Sequence, residues 1–168
     1  MKRSTLLAIT LVIGALAPMF NATVVRADAA DELRAAQQSI ATGAEARNLD
    51  AIMSNYLRSG KLFVFDVYPP RAYIGYDAFR KDWHDFLEAF KGPITYEMLD
   101  MDVDTDGTLG YVHVIEHIAG TNSEGQSVEI NMRVTELYRK INGKWLIEHE
   151  HASVPVDLKT GMADVLSK

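Results

Sequence analysis

Residues 126–154 read QSVEINMRVTELYRKINGKWLIEHEHASV. Apolar and polar positions alternate on both sides of Asn142-Gly143, which is the period of a half-buried strand. An Asn-Gly pair between two such runs predicts a two-residue type I′ turn, because both turn positions need positive φ. The stretch is therefore an antiparallel hairpin, 126–140 against 144–154. Upstream, 109–119 and 94–103 alternate in the same way. Thr105-Asp106-Gly107 and Asn122-Ser123-Glu124-Gly125 supply the turns between them. Four strands joined by direct hairpins form a meander.

Before Pro93 the period is 3.6. Phe79, Trp83, Phe86, Leu87 and Phe90 make one apolar stripe on a helix over 75–90, stopped by Gly92-Pro93. The aromatic and β-branched run 61–67 predicts a strand ended by Pro69-Pro70. A helix beginning near Asp31 carries Leu33, Ala36 and Ile40, and a short one over 48–57 carries Ile52, Met53, Tyr56 and Leu57. Helices first and a meander later make an α+β protein with its helices packed on one sheet face.

The 168 residues suit one domain with a tail. Lys2 and Arg3, then an apolar stretch 6–17 and a small-residue region ending at Ala27, read as a secretory signal peptide, 1–27. The apolar stretch is too short for a comfortable bilayer span. The remaining domain, 28–156 with a tail 157–168, is expected in the periplasm or secreted, free of the membrane once the signal is removed. Removing Lys2, Arg3 and Arg26 leaves 14 basic against 23 acidic residues, which argues against a nucleic-acid partner. The absence of Cys excludes disulfides, thiolate metal sites and Cys nucleophiles.

Several residues are candidates for chemistry. On strict alternation His149 and His151 share a face with Trp145, Ile147 and Ser153. They can be general acids or bases, structural imidazoles at the rim of the core, or two ligands of one ion about 7 Å apart along the strand. No third ligand is fixed by spacing, so no metal and no cofactor is expected. Asp66 shares parity with Leu62 and Val64. If those two face the core, its carboxyl looks inward, where desolvation makes it a candidate base; otherwise it caps the proline turn. Tyr56, Tyr68 and Tyr73 can polarise a carbonyl or be core residues with wet tips. Trp83 and Phe86 are core or pocket wall. Arg133 and Thr135 share a face beside the histidine strand, where Arg133 can hold a substrate carboxylate or a plain ion pair. Asp102 to Gly107 matches half a calcium loop, but His113 stands where the bidentate Glu belongs, leaving an acidic turn.

Asp66 with Pro69-Pro70, Gly75-Tyr76-Asp77 leading to Trp83, Arg133-Val134-Thr135, Gly143-Lys144-Trp145 and His149-Glu150-His151-Ala152-Ser153-Val154-Pro155 together resemble the nuclear transport factor 2-like superfamily. The wording is closest to its SnoaL-like, ketosteroid-isomerase-like bacterial branch, over roughly 31–155. The resemblance implies a cone-shaped fold, a curved antiparallel sheet wrapped around N-terminal helices. It also implies pairing of copies through the outer sheet face, where Met132, Val134 and Tyr138 are expected. The superfamily holds isomerases, dehydratases, carriers and dimerisation modules, so the fold does not name a reaction. The isomerase's tyrosine and paired aspartates have no secure counterparts here, and its activity is not carried over.

Two functions follow. The first is an exported protein holding a small apolar organic ligand, with cofactor-free acid–base chemistry on a carbonyl compound by Asp66, His149 and His151. The second is a non-catalytic ligand-binding or dimerisation module. A cavity above ~300 Å³ faced by Asp66 and a histidine favours the first; one blocked by Trp83 and Phe86 favours the second.

Overall fold

A computed structural model describes residues 21–167, with side chains described from residue 29 onward. Most of the expected signal segment lies outside the described residues. The element order is α1 (Asn21–Glu45), α2 (Leu49–Met53), β1 (Phe63–Phe65), β2 (Tyr73–Ile74), α3 (Tyr76–Glu88), β3 (Phe90–Thr105), β4 (Leu109–Asn122), β5 (Ser127–Ile141) and β6 (Lys144–Ser153). The four long strands and their three turns fall where the alternation and turn residues put them. The expected strand 61–67 contracts to Phe63–Phe65 and gains a partner, Tyr73–Ile74, too short to carry a pattern.

All six strands form one open sheet, ordered β2-β1-β6-β5-β4-β3. Neighbours run antiparallel except β1 and β6, which are parallel. Gly92-Pro93 does not end a helix. It sits in β3, in a bulge between Lys91 and Ile94, with Gly92 at φ 78°. Proline lacks the ladder donor, and an edge strand at a bulge is where a sheet tolerates that loss. A second β3 bulge lies between Leu99 and Asp102. Bulges bend and twist a strand, so the sheet curls around the helices.

The helix α1 fills the hollow. Leu33, Gln37, Ile40, Ala41 and Ala44 are buried on its inner side. Gly110 lets the helix approach, since a Cβ there would lie 2.6 Å from Leu33 Cδ1. Glu32 ties the same helix to the last hairpin, accepting from Trp145 Nε1 at 2.7 Å and from Lys140 Nζ. Arg47 holds the other end, donating to the carbonyls of Leu87, Phe90 and Gly92 at 2.7–2.9 Å.

One irregularity decides which residues look inward. Between β5 and β6, Leu137 pairs with His149 while Tyr138 pairs with Ile147, leaving Glu148 over as a bulge. Trp145 and Ile147 are buried before it; Glu150 and Ala152 are buried after it. The extra residue reverses the alternation. His149 and His151 therefore stand on the outer face, where strict alternation would have turned them inward. The same alternation in β5 buries Val134, Glu136 and Tyr138. Met132, Val134 and Tyr138 belong to the inner face, and not to the outer face expected of them.

Candidate functional site

The curled sheet, α3 and the C-terminal segment enclose a cavity of about 740 Å³. The helix supplies one wall because Phe79, Asp82, Trp83 and Phe86 fall on one stripe. Their rings stack edge to face, Phe79 on Trp83 at 6.4 Å and Trp83 on Phe86 at 5.4 Å. Sheet residues Ile118, Ile130, Met132 and Ala152 form the opposite wall. The segment after Pro155 closes one side. Asn131 N donates to Val165 O at 2.7 Å and Asn131 Nδ2 to Ser167 O at 3.2 Å, beside β5 where β6 has ended. Val165, in the tail, thereby lines the cavity.

Acids are set into these apolar walls. Tyr96 Oη donates to Glu116 Oε2 at 2.6 Å, and Tyr56 Oη to Glu150 Oε2 at 2.7 Å. Glu116 and Glu150 line the cavity. Behind them Gln37 Nε2 donates to Glu136 and, at 2.6 Å, to the Tyr138 hydroxyl. All three glutamates are buried. Loss of hydration raises Glu116 to about 7, despite the hydrogen bond from Tyr96. Burial and then the Glu116 charge raise Glu136 to about 8. Burial, then Glu136 and Glu116, holds Glu150 well above the carboxylate range. Burial thus pushes all three carboxyls toward their neutral forms.

Asp66 follows Leu62 and Val64 to the inner side and lines the cavity. Burial raises its pKa against two backbone donors, Tyr68 and Val67. Asp82 on α3 is raised to about 6, chiefly by burial, with the Tyr73 hydroxyl opposing. Among the described residues neither aspartate has a cation within ion-pair distance. Seven cavity-lining residues are acidic and none is Lys, Arg or His.

The structure thus gathers Asp66, Tyr68, Trp83 and Phe86. It places Tyr56 behind Glu150 and Tyr73 on the Pro69 carbonyl, at 3.0 Å. It does not bring His149, His151, Arg133 or Thr135 to the cavity. His149 Nδ1 donates to Phe63 O at 2.8 Å, and its ring lies 5.7 Å from Phe65. His151 is exposed, also against Phe65. Thr135 pairs with His151 and Arg133 with Ser153, all on the outer side. A substrate carboxylate would find no Arg133 inside. No group of three or more metal-ligating side chains occurs among the described residues.

Alternation missed the glutamates for a simple reason. Glu116 sits in phase with Val112, Val114 and Ile118. An acid at the apolar parity of a strand is the sequence feature that points to it.

A SnoaL-like domain model matches residues 33–157. The chain belongs to the SnoaL-like family. Solved structures agree on the fold, the cone of the nuclear transport factor 2-like superfamily. A nuclear transport factor 2-like protein of unknown function from Pseudomonas putida KT2440 superposes with TM-score 0.76 and 25% identity, over 84% of this chain and 97% of that one. A superfamily member from Salmonella enterica serovar Typhimurium gives 0.70 and 14%, over 79% and 94%. A ketosteroid isomerase-like protein from Erwinia carotovora atroseptica gives 0.62 and 20%, over 74% and 94%. A comparison with curated proteins finds no match.

Proposed function

We propose that this SnoaL-like protein is exported and binds a small, largely apolar organic molecule in the cavity, where it carries out cofactor-free proton transfer on a carbonyl compound. The observation that carries the reading is the aromatic-walled cavity of about 740 Å³ faced by Asp66 and by buried Glu116, whose acidity burial weakens to about 7. Ligand sites are concave, mostly apolar and furnished with a few polar groups of shifted acidity.

Asp66, ionised, takes a proton from the carbon next to the substrate carbonyl. The electron pair moves onto the carbonyl oxygen, which accepts a hydrogen bond from the neutral Glu116 carboxyl. Return of the proton to another carbon completes an isomerisation; departure of a leaving group completes an elimination. The protein binds, orients and shields the enolate from water. Export rests on residues 1–27, and fusion of that segment to a reporter active only outside the cytoplasm tests it.

Solvent exchange tests the chemistry directly. The purified protein in D₂O should speed loss of the α-proton NMR signal of 2-indanone, and Asp66→Asn should abolish the acceleration while leaving the melting temperature unchanged or higher. Exchange retained in Asp66→Asn would remove Asp66 as the base. A second reading is a non-catalytic ligand-binding module, favoured by one observation: the Tyr56 and Tyr96 hydroxyls are already spent on glutamates. Bound 2-indanone with no exchange would select it. We also place a homodimer contact on the outer sheet face, where Phe65, Ile74 and Leu137 are exposed; light scattering of the purified protein decides it.

A further inference from the structure

Among the described residues Asp66 and Asp82 face the cavity with no cation within ion-pair distance, and this constrains what can enter. Asp82 belongs to the same helical stripe as Phe79, Trp83 and Phe86. It is half-buried, yet the nearest lysine in sequence, Lys81, turns to Asp85. Arg80 pairs with Asp50 at 2.8 Å. Arg47 is committed to three backbone carbonyls. The outer-face cation Arg139 is held by Glu148. Arg47, Arg80 and Lys81 are thus engaged elsewhere, while the aspartate among the rings is left with the Tyr73 hydroxyl as its neighbour. Asp66, across the cavity, has no cation either.

Aromatic faces carry negative quadrupoles and draw organic ammonium groups, most strongly where water is excluded. A carboxylate set among Trp83, Phe86 and Phe79 is what such a group needs. Anionic ligands meet the reverse: Asp66 and Asp82 face the space, and among the described residues no Lys, Arg or His lines it.

We infer that the cavity takes a lipophilic organic cation, a small molecule whose protonated amine pairs with Asp82 inside the ring of Phe79, Trp83 and Phe86 while its apolar body fills the space toward Ile118 and Met132. The inference rests on the cavity being a ligand site and sharpens it by naming the charge of the ligand. It assigns Asp82 a binding role distinct from that of Asp66.

Calorimetric titration of the full chain with three probes of one skeleton tests it: 4-phenylbutylamine, 4-phenylbutan-1-ol and 4-phenylbutyrate. The amine should bind about tenfold more tightly than the alcohol, and the carboxylate not at all. Asp82→Asn should abolish the preference by weakening the amine about tenfold, leaving the alcohol within about twofold. Asp82→Glu, which keeps the charge, should restore most of it, and an unchanged melting temperature in both variants certifies folding. Equal affinity for amine and alcohol overturns the cation inference and leaves the ligand site standing. Binding of none of the three removes the ligand-site reading together with the inference. A preference for the amine that survives Asp82→Asn overturns the assignment to Asp82.

Discussion

The two faces of the β5–β6 hairpin are built from the same two strands, yet they do opposite work. Inward, Val134, Glu136, Tyr138, Ile147, Glu150 and Ala152 are buried, and the polar ones among them are bonded by Gln37, which serves Glu136 and Tyr138, and by Tyr56, which serves Glu150. Outward, Arg133, Thr135, His149 and His151 lie at the surface or partly so, and Arg139 forks onto Glu148 at 2.6 and 2.7 Å. The outer ion pair is exposed, where screening and side-chain entropy leave little net stabilisation. The inner acids sit where every unmet hydrogen bond and every ionisation is costly. Residue type does not tell the faces apart, since each carries charge. Only the register does, and the register turns on Glu148.

Inserting one alanine between Glu148 and His149 is the sharpest way to break this comparison. With the bulge kept and pairing held at the turn, the added residue drives His149 and His151 inward and expels Glu150 and Ala152. We expect a loss of about 4 kcal/mol or more, seen as a chain that fails to fold or melts far below the wild type. An insertion variant with wild-type melting would mean that the bulge absorbs the added residue. Ile147→Ala comes next. Ile147 is fully buried, and truncation leaves a cavity costing about 2–5 kcal/mol by denaturant unfolding.

The register also explains what could be read from the sequence. The meander, its three turns and the aromatic helix were legible, because period and turn chemistry are local properties. The inward placement of Asp66 was legible only as one of two alternatives, since Phe63 and Phe65 make the other face of β1 equally apolar. Histidines 149 and 151 were misplaced because a bulge has no local mark here: Glu148 looks like any outward strand residue. The three buried glutamates were passed over because acids are rarely buried unless paired, and their partners Tyr96, Tyr56 and Gln37 are 20, 94 and 99 residues away. Nothing near them in sequence could have named those partners.

The inner acids set a pH response that the outer pairs do not share. A carboxyl whose pKa is raised on folding keeps its proton in the native state after the unfolded chain has lost it. Its contribution is intact below the ordinary value of 4.5 and is lost as pH climbs to about 7 for Glu116 and about 8 for Glu136. Unfolding free energy should therefore fall between pH 4.5 and 8, at up to about 1.4 kcal/mol per pH unit for each such group. The exposed acids act elsewhere: Asp106 is lowered to about 2 by backbone donors at its turn, so its effect lies at the acid end. Glu136→Gln removes one titration and should flatten the slope over pH 5–8 in chemical denaturation, with a gain of about 1 kcal/mol or more at pH 8. A slope unchanged in that variant would mean that Glu136 is ionised in the native protein.

The smallest expected effect is the most informative about mechanism. His149 and His151 carry the side chains best suited to titrate near neutrality, and only the bulge keeps them from the cavity. His149 donates to the Phe63 carbonyl, so His149→Ala loses that bond and its packing on Phe65, about 1 kcal/mol. His151→Ala, at an exposed position, should fall within about 0.5 kcal/mol. Neither should change 2-indanone exchange or the amine preference by more than about twofold. A tenfold loss of exchange in His151→Ala, with the melting temperature intact, would place that imidazole in contact with substrate and reverse the assignment of faces. The converse substitution sharpens the same point. Glu116→Gln keeps the shape of the inner wall but removes its acid, and should depress exchange at least tenfold while the histidine variants leave it standing.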